Sequence, residues 1–548
     1  MTRQIFEGLD PEQRDAVFSG ARALLIAAPP GSGKTRVLIC RFMRLVEEGA
    51  PPSGILAITF TNRAAREIKE RLSTHGMGQG LANIGTFHSI CLKMLKAKDP
   101  GLTLYSREDQ RRVLKGLGVK GVEAAADLIS GIKNSPRNDL GNEEMALYSR
   151  YTEALKDAGA LDFDDLIPGA VKALDADTEA FGGIKHVMVD EYQDINPAQR
   201  RLLKLLSRGA SIFAIGDPDQ AIYSFRGASL KGFHEFNDDY PGAGTMGLRR
   251  NYRSSSRIVE ASNAVIGNNA GRAGKETLAL SPGGEIRAIE CADEDAEAAI
   301  VIREIESMMG GLASLTVGEQ MEGARFSDFA VLFRTNRQAA PIIEAFDRSS
   351  IPYHVVARPG PGFADFIHRL RAMELTPGAE LSALVRAEGV EAGLDEDLLN
   401  ILVDAARLHD NRPIAESIKD FIEEAALTEP VDNCDIKADK VNLMTLHMAK
   451  GLEFRVVFIA GVEDGLMPLR LKGEECDVEE ERRLFYVGMT RARERLILLG
   501  ARQRRLWGET RDRAPSPFLA EMPERLVKKE RVEKKKTKRR AEQKGLFE

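Results

Sequence analysis

Short apolar runs that end in polar residues recur along the first part of the chain. They lie at residues 24–28, 55–60, 84–87, 186–189 and 212–216, and segments with helical spacing lie between them. Runs that are apolar on both faces are typical of buried parallel strands, so this alternation predicts an α/β fold with a doubly wound parallel sheet. Ligands bind at the carboxyl ends of such strands, which makes the polar residues after each run candidate site residues.

The same alternation returns in the second half of the chain. Apolar runs lie at residues 285–290, 328–333, 353–356, 441–447 and 454–461, and helices are predicted across 293–309 and up to about residue 349. This pattern predicts a second parallel-sheet domain of the same kind, without a phosphate-binding loop of its own.

Two polar segments interrupt these domains. Residues 97–160 are helical in pattern and show no strand pattern, and residues 359–440 are also mostly helical. We therefore expect a helical insert in each sheet domain. The predicted boundaries are 1–96 and 161–248 for the first domain, 249–358 and 441–520 for the second, and 521–548 for a basic flexible tail.

A glycine-rich turn follows the first apolar run. The turn consists of Ala28, Pro29, Pro30, Gly31, Ser32, Gly33, Lys34 and Thr35. Its small residues let backbone N–H groups surround phosphates, and the helix that starts near Gly33 directs the positive end of its dipole at them. We expect Lys34 to pair with the β- and γ-phosphates of ATP and the Thr35 hydroxyl to bind Mg²⁺. The strict motif begins with glycine, where this chain has Ala28, and a chance surface turn before a lysine is the alternative.

Two carboxylates follow the apolar run at 186–189. Asp190 and Glu191 come directly after it, at the predicted edge of the sheet that carries the phosphate loop. We expect Asp190 to hold Mg²⁺ and Glu191 to act as the base that deprotonates the attacking water. A further acidic cluster at residues 161–167 has three interpretations, namely a solvated helix start, a set of Mg²⁺ ligands or a packing element, of which the first and third are favoured.

The run at 212–216 leads into a loop rich in polar and aromatic residues. Gln220 can reach a γ-phosphate from the end of this strand. Tyr223, Phe225 and Arg226 offer flat faces and a charge on which unstacked bases can lie, although an aromatic plug inside the loop is the alternative.

Composition narrows the class of protein. The chain has 548 residues, of which 43% are hydrophobic and 29% charged, and this is typical of a multidomain globular protein. It contains no long apolar run and its N-terminal segment lacks a signal-type core, so we expect a cytoplasmic protein. The five cysteines are far apart, which favours reduced, structural thiols. The net charge of −6 conceals a strongly basic segment at 525–544.

The ordered motifs resemble those of superfamily-one helicases of the UvrD/Rep/PcrA type. The matching segments are Gln13, GSGKT, TFTNRAA, GTFHS, VDEYQD, GDPDQAIYSFRGA, LRRNYRS, TLHMAKGLEF and YVGMTRARERL. The resemblance implies two RecA-like domains of the P-loop NTPase class. The segment at 97–160 then resembles the family's 1B insert, and 359–440 a reduced 2B insert.

The resemblance also implies roles for individual residues. Gln13 would contact the adenine edge, Tyr252 and Arg36 would lie on the two faces of the adenine, and Glu453 would lie near the ribose. Arg253, from a second domain, and Arg491 would reach the γ-phosphate as arginine fingers. The residues similar to the family's single-strand contacts are Phe60, Asn62, Thr86, His88, Tyr223, Phe225, Arg226, Arg334, Thr445 and His447. Phe225 stands where many members have Trp, so it keeps a stacking face but loses area and an N–H donor.

The expected activity is ATP-driven 3′ to 5′ movement on single-stranded DNA, with strand separation, in DNA repair, replication or recombination. One alternative is a translocase that displaces proteins without opening duplex DNA, and another is a nucleotide-gated DNA-binding scaffold. RNA is an alternative substrate, because stacking on aromatic side chains tolerates either sugar. At the C-terminus, Gln543, Leu546 and Phe547 resemble the short peptide with which bacterial repair and replication proteins bind the sliding clamp.

Overall fold

The computed structural model describes residues 3–533 apart from several short segments. The segments left out are residues 78–80, 135–140, 178–181, 271, 273–275, 311–320, 357–360, 374–378, 408, 411–412, 427–437, 472, 474 and 507–508. The chain divides into two compact units. The first comprises Met1–Arg253, Gly271–Leu280 and Val356–Asp435, and the second comprises Ser254–Ala270, Ser281–Val355 and Ile436–Glu548.

The strands are numbered in chain order. They are β1 (Ala23–Ala27), β2 (Ile55–Thr59), β3 (Ile84–Thr86), β4 (Thr103–Tyr105), β5 (Ala160–Asp162), β6 (His186–Val189), β7 (Ser211–Gly216), β8 (Gly244–Gly247), β9 (Arg250–Ser255), β10 (Leu278–Ser281), β11 (Glu285–Asp293), β12 (Phe329–Phe333), β13 (Tyr353–Val355), β14 (Val441–Thr445), β15 (Phe454–Ile459), β16 (Ala492–Leu506), β17 (Glu509–Asp512) and β18 (Lys528–Val532).

The helices are numbered in the same way. They are α1 (Arg3–Glu7), α2 (Pro11–Phe18), α3 (Lys34–Glu47), α4 (Asn62–Thr74), α5 (Phe87–Lys98), α6 (Arg107–Gly116), α7 (Val122–Asn134), α8 (Asn142–Asp157), α9 (Leu166–Ala176), α10 (Pro197–Leu206), α11 (Lys231–His234), α12 (Phe236–Asp239), α13 (Ser256–Ile266), α14 (Glu294–Met308), α15 (Ala339–Asp347), α16 (Pro361–Ala372), α17 (Leu381–Glu391), α18 (Glu396–Arg407), α19 (Ile414–Ala426) and α20 (Val478–Met489).

A six-stranded sheet forms the centre of the first unit. Its order is β3-β2-β6-β7-β1-β8, and every neighbouring pair is parallel. Strand β2 is buried along its whole length, and separate apolar clusters cover the two faces of the sheet. The predicted doubly wound parallel sheet is therefore confirmed, and the chain leaves β1, β6 and β7 at one edge.

A second sheet forms the centre of the second unit. Its order is β13-β14-β12-β15-β16-β11-β18, with β17 paired to β16. The pairs along this order are parallel, whereas β17 runs antiparallel to β16. The five strand patterns recognised in the sequence all form strands here. The long strand β16 was not predicted as an element, although its residues fall within the predicted second domain.

The first insert contains strands as well as helices. Helices α6, α7 and α8 were expected, but β4 and β5 also pair in parallel, which the sequence pattern did not predict. Each of these strands has only three residues, which is too short for an alternating pattern to be visible. Asp162, from the acidic cluster at 161–167, accepts hydrogen bonds from Lys133 Nζ and Tyr151 Oη at 2.8 Å each. These contacts favour the packing interpretation of that cluster.

The second insert is a bundle of the four helices α16–α19 around its own apolar cluster. It belongs by its contacts to the first unit, although its sequence interrupts the second sheet domain. Arg371 Nη1 donates to Asp109 Oδ2 at 2.8 Å, and Lys96 and Glu423 form an ion pair. Two charged pairs therefore join the insert to residues of the first unit.

The tail predicted from residue 521 differs from the expectation in its first part. Strand β18 pairs in parallel with β11, and Arg287 binds Glu530 of this strand with two hydrogen bonds of 2.9 Å. Basic side chains at 528, 529 and 531 suggested a solvated segment, but the backbone of these residues completes the edge of the sheet. Residues 534–548, including the clamp-like peptide at 543–547, lie outside the described part of the chain.

No helix among the described residues is long and apolar enough to cross a membrane. The four cysteines in the described part of the chain are free thiols, of which Cys40, Cys91 and Cys291 are buried. Burial raises the pKa of the Cys40 and Cys91 thiols, so both stay protonated near neutral pH.

Candidate nucleotide site and nucleic-acid pocket

The glycine-rich turn forms a loop between β1 and α3. Gly31 and Gly33 have φ angles of 71° and 84°, a left-handed conformation that glycine adopts at little cost. A Cβ atom on Gly31 would lie 2.7 Å from the Cβ of Arg253 and 2.8 Å from Asn251 Oδ1. The helix begins at Lys34, directly after Gly33. The loop therefore presents backbone N–H groups and a helix N-terminus, the arrangement that binds phosphates.

Lys34 lies across this loop. Its Nζ donates to the carbonyl oxygen of Ala28 at 2.9 Å and to that of Pro29 at 3.5 Å. The Ser32 hydroxyl also donates to the Pro29 carbonyl oxygen, at 2.7 Å. The acceptors of the ammonium group are thus neutral carbonyls, which charged phosphate oxygens can replace with a stronger hydrogen bond. Ala28 contacts Lys34 through its backbone carbonyl, a group that alanine and glycine share.

Gln13 is part of the loop's support. Asp10 and Gln13 form a capping box at the start of α2, and Gln13 Nε2 donates to the Ser32 carbonyl oxygen at 2.9 Å. The residue is 1% exposed, so it is not a solvated surface residue of the helix. Its contact with adenine stays a prediction.

Asp190 and Glu191 lie at the end of β6 as expected. Asp190 is buried, and its Oδ1 accepts from the backbone N–H of Glu191 at 2.9 Å. Glu191 has a φ of 51° and is, within the described residues, the one non-glycine residue with positive φ. Such a backbone costs about 1–3 kcal/mol and persists where neighbouring contacts hold it, which is common at functional sites.

The loop after β7 carries Gln220. Gln220 Nε2 donates to Asp217 Oδ2 at 2.6 Å, and the backbone N–H of Asp219 donates to Asp217 Oδ1 at 3.1 Å. Burial, with the charge of Asp219, raises the pKa of Asp217 to about 6, while Lys34 acts in the opposite direction. Sequence reasoning missed Asp217. The signal was present, because this aspartate is the first polar residue after the buried strand.

Two residues of β9 contact the phosphate loop, and one of them also contacts Asp10, the N-cap residue of α2. Asn251 Nδ2 donates to the Pro30 carbonyl oxygen at 2.9 Å, and the backbone N–H of Tyr252 donates to the Gly31 carbonyl oxygen at 2.8 Å. The Tyr252 hydroxyl donates to Asp10 Oδ2 at 2.6 Å, and its ring stays 44% exposed. Arg253 is the last residue of its segment of the first unit, and its role as an arginine finger stays a prediction. Arg36, the other predicted adenine contact, is exposed on the first turn of α3.

The residues present fit a magnesium ion. Thr35 and Asp190 supply a hydroxyl and a carboxylate, which are the oxygen ligands that Mg²⁺ prefers. The described residues contain no group of three or more His, Cys, Asp or Glu side chains that could hold a metal. A set with so few protein ligands suits an ion whose remaining ligands are phosphate and water oxygens.

A cavity of about 640 Å³ lies beside this site in the first unit. Its lining includes five of the predicted single-strand contacts, which are Phe60, Asn62, Thr86, His88 and Phe225. The rings of Phe60 and Tyr223 stack with centroids 5.0 Å apart, and those of His88 and Phe163 stack at 3.7 Å. Phe225 is 68% exposed, so the alternative of an aromatic plug does not apply to it. Arg226 ends the short turn Ser224–Arg226.

The predicted residues of the second unit have partners there. Arg334 forms a bidentate pair with Glu481, the closest contact being 2.7 Å. Arg491 is buried and donates to the carbonyl oxygens of Val487 and Leu452 at 2.9 and 3.1 Å. Thr445 ends β14 and accepts from the N–H of Met448, His447 follows in a turn, and Glu453 is exposed. Their contacts with nucleotide or DNA stay predictions.

A phosphate loop, an acidic pair after β6 and two parallel-sheet units define a P-loop NTPase with the motifs of a helicase. The family model for the UvrD/REP helicase N-terminal domain matches residues 9–241, and that for the UvrD-like helicase C-terminal domain matches 246–360 and 394–503. The chain therefore belongs to the UvrD/Rep family of ATP-dependent DNA helicases.

Two curated relatives show the same relationship. The chain is 32% identical to the ATP-dependent DNA helicase UvrD1 of Mycobacterium tuberculosis, over 96% of this chain and 86% of the relative. It is also 32% identical to the ATP-dependent DNA helicase PcrA of Staphylococcus aureus, over 96% of this chain and 88% of the relative.

Proposed function

We propose that this helicase moves 3′ to 5′ along single-stranded DNA, separates strands, and acts in DNA repair, replication or recombination. One observation carries the link between ATP and movement. A single loop after β7 bears Gln220, beside the nucleotide site, and Tyr223, whose ring stacks on Phe60 at the nucleic-acid cavity. A shift of this loop between nucleotide states therefore alters the surface on which bases stack.

The hydrolytic step follows from the residues at the sheet edge. Lys34 and the loop amides bind the β- and γ-phosphates, and Gln220 contacts the γ-phosphate. Glu191 takes a proton from water as the water oxygen bonds to the γ-phosphorus and the bond to the ADP oxygen breaks. Thr35 and Asp190 would hold Mg²⁺, which neutralises charge on the phosphates. Arg253 and Arg491 add positive charge for the transition state.

Binding of the nucleobase and of DNA completes the assignment. Gln13, Tyr252 and Arg36 bind the adenine, and Glu453 lies at the ribose. The cavity of the first unit binds bases through its aromatic residues. Arg334, Thr445 and His447 extend the contacts along the strand from the second unit.

The test is ATP-driven strand separation on duplexes with either a 3′ or a 5′ single-stranded tail. Opening of the 3′-tailed duplex alone, and its absence in Lys34→Ala, is the expected result. Opening of the 5′-tailed duplex alone would overturn the polarity. Strong DNA-stimulated hydrolysis without opening of either duplex would identify a translocase that displaces proteins. A scaffold is indicated instead if Glu191→Gln, which lacks the base, supports the same cellular function as the wild type.

The C-terminal peptide is a separate proposal. Gln543, Leu546 and Phe547 have the spacing of a sliding-clamp peptide, and the preceding basic residues favour nucleic-acid phosphates nearby. Deletion of residues 543–548 should abolish binding to the clamp in a pull-down with purified proteins, while ATPase activity stays unchanged. Unchanged clamp affinity after the deletion would contradict the proposal.

A further inference from the structure

The side chain of Gln193 connects the end of β6 to the end of β7. It is fully buried, at 0% exposure, in the short turn that follows Glu191. Gln193 Nε2 donates to Glu191 Oε2 at 2.5 Å and to Asp194 Oδ2 at 3.1 Å, and Gln193 Oε1 accepts from the backbone N–H of Asp217 at 2.8 Å. The side-chain amide of Gln193 therefore donates two hydrogen bonds and accepts one.

The neighbouring strand is shaped to admit this amide. A Cβ atom on Gly216 would lie 2.4 Å from Gln193 Oε1 and 3.0 Å from the backbone N of Tyr192. A contact of 2.4 Å is impossible without displacement of the amide. The glycine at the end of β7 thus leaves the space through which Gln193 reaches Asp217.

The connection continues to Gln220. The backbone N–H of Asp217 donates to Gln193 Oε1. The carboxylate of the same residue accepts from Gln220 Nε2 at 2.6 Å. A chain of hydrogen bonds through Gln193 and Asp217 therefore joins Glu191 to Gln220. A carboxylate that accepts a proton in catalysis needs a fixed orientation, and the left-handed backbone of Glu191 needs neighbouring contacts to hold it.

We propose that Gln193 is the positioning residue that orients the Glu191 carboxylate for water activation and fixes it relative to Gln220. The proposal deepens the proposed function, because it rests on Glu191 as the base. Gln193 does not touch nucleotide in this role. It acts through the two residues that do.

Two variants separate the parts of this role. Gln193→Met has a similar length and removes every hydrogen bond of the amide. Gln193→Glu keeps an acceptor for the Asp217 N–H and, in its ionised form, has no donor for Glu191. Both should lower the kcat of basal ATP hydrolysis by about 30- to 100-fold, since small misplacements of a reacting group have effects of about that size. The KM for ATP should change by less than about twofold, because the phosphate loop is untouched.

A matched control is Gln338→Met in the second unit. Gln338 is also buried, at 3% exposure, and its Oε1 accepts from the N–H of Thr335 at 2.9 Å. This variant should keep wild-type basal ATPase activity. Thermal unfolding of all variants shows which are folded, and Gln193→Glu serves if Gln193→Met does not fold.

A double-mutant cycle with Glu191→Gln decides between positioning and general damage. If Gln193 acts through Glu191, Gln193→Met should change the residual rate of Glu191→Gln by less than about threefold. The same 30- to 100-fold loss in that background, or wild-type kcat in a folded Gln193→Met and Gln193→Glu, would overturn the inference alone. Wild-type hydrolysis by Glu191→Gln would instead overturn the assignment of the base, and the inference with it.

Discussion

Each sheet of this helicase has charged side chains near the ends of its parallel strands, but the hydrogen-bond partners of these side chains differ. In the first unit, Lys34 donates to backbone carbonyls, and Asp217 is bound by an amide and a backbone N–H. In the second unit, Arg504 of β16 donates through Nη2 to Glu297 Oε2 and Glu463 Oε1 at 2.6 Å each, and these two glutamates lie beyond the ends of β11 and β15. The first set leaves a cation that phosphates can engage, whereas the second satisfies its charges internally.

Burial reinforces this difference. Glu297 and Glu463 are each 1% exposed and Arg504 is 3% exposed, and backbone N–H groups of Gly461 and Ala501 complete the acceptors of the two carboxylates. Burial raises the pKa of Glu297, and Arg504 opposes this shift. A cation between two buried carboxylates is a structural element, whereas the proposed phosphate-binding cation, Lys34, donates to carbonyls beside a glycine-rich turn.

The largest expected effect comes from removing the binding-site cation. Lys34→Ala should lower ATP hydrolysis by at least about 1,000-fold, since it removes about 4 kcal/mol of transition-state stabilisation. Affinity for single-stranded DNA, measured by fluorescence anisotropy without nucleotide, should stay within about threefold, because the aromatic cavity is separate from the loop. Robust hydrolysis by this variant would show that the phosphates bind elsewhere.

Removing the structural cation, Arg504, should lower the stability of the fold rather than the rate of hydrolysis. Arg504→Met leaves two buried carboxylates without a cation and should lower the free energy of unfolding by about 3–5 kcal/mol. Hydrolysis per folded molecule should not change. Arg505→Met is the matched control, because its side chain is 68% exposed and should shift stability by less than about 0.5 kcal/mol. Denaturant unfolding of the three proteins makes the comparison, and equal stability would refute the structural role.

Phe225 tests the nucleic-acid cavity. Its ring is 68% exposed, so Phe225→Ala should leave the thermal unfolding temperature unchanged. Loss of one base-stacking face should weaken binding of single-stranded DNA by about 1–3 kcal/mol, or roughly 5- to 150-fold. Phe225→Trp has a larger face and should bind more tightly than the wild type. If neither substitution alters affinity, bases do not stack on this residue.

The smallest expected effect is a dependence of stability on pH through Asp217. Because its pKa is raised to about 6 by burial, the folded protein retains a proton there that the unfolded chain loses above about pH 4. This contribution to stability is full below about pH 4 and is lost as the pH rises through about 6. Relative to Asp217→Asn, which cannot bind that proton, the wild type should gain about 1 kcal/mol between pH 7 and pH 5. Parallel pH curves of unfolding free energy for the two proteins would contradict the shift.

The site residues and strands that could be predicted from the sequence share a local sequence pattern. The phosphate loop, Asp190, Glu191 and Gln220 each follow a continuous apolar run, and such a run fixes both the strand and the place where it ends. The same alternation predicted five strands in each sheet, whereas β8, β16, β17 and β18 were not predicted. The order of the motifs then indicated the helicase family, and the family models and relatives confirm that family.

The structural features that the sequence analysis missed depend on contacts between residues that are distant in the chain. Asn251 reaches the phosphate loop from the start of β9, and Phe163, from an acidic segment, stacks on His88. The basic segment at 528–532 lacked an apolar pattern because a sheet edge buries backbone hydrogen bonds and only part of the side chains.

By itself the sequence determined most strands of the two sheets, the glycine-rich loop after β1 and the carboxylates at the end of β6, because each depends on residues close together in the chain. Only the tertiary structure decided which charges are available. In the folded chain, Arg504 and Arg334 form ion pairs with carboxylates. The second insert packs with the first unit, and Gln193 lies between Glu191 and Asp217. These outcomes depend on which distant elements pack together, and hydrogen-bond partners across strands leave no periodic pattern in the chain.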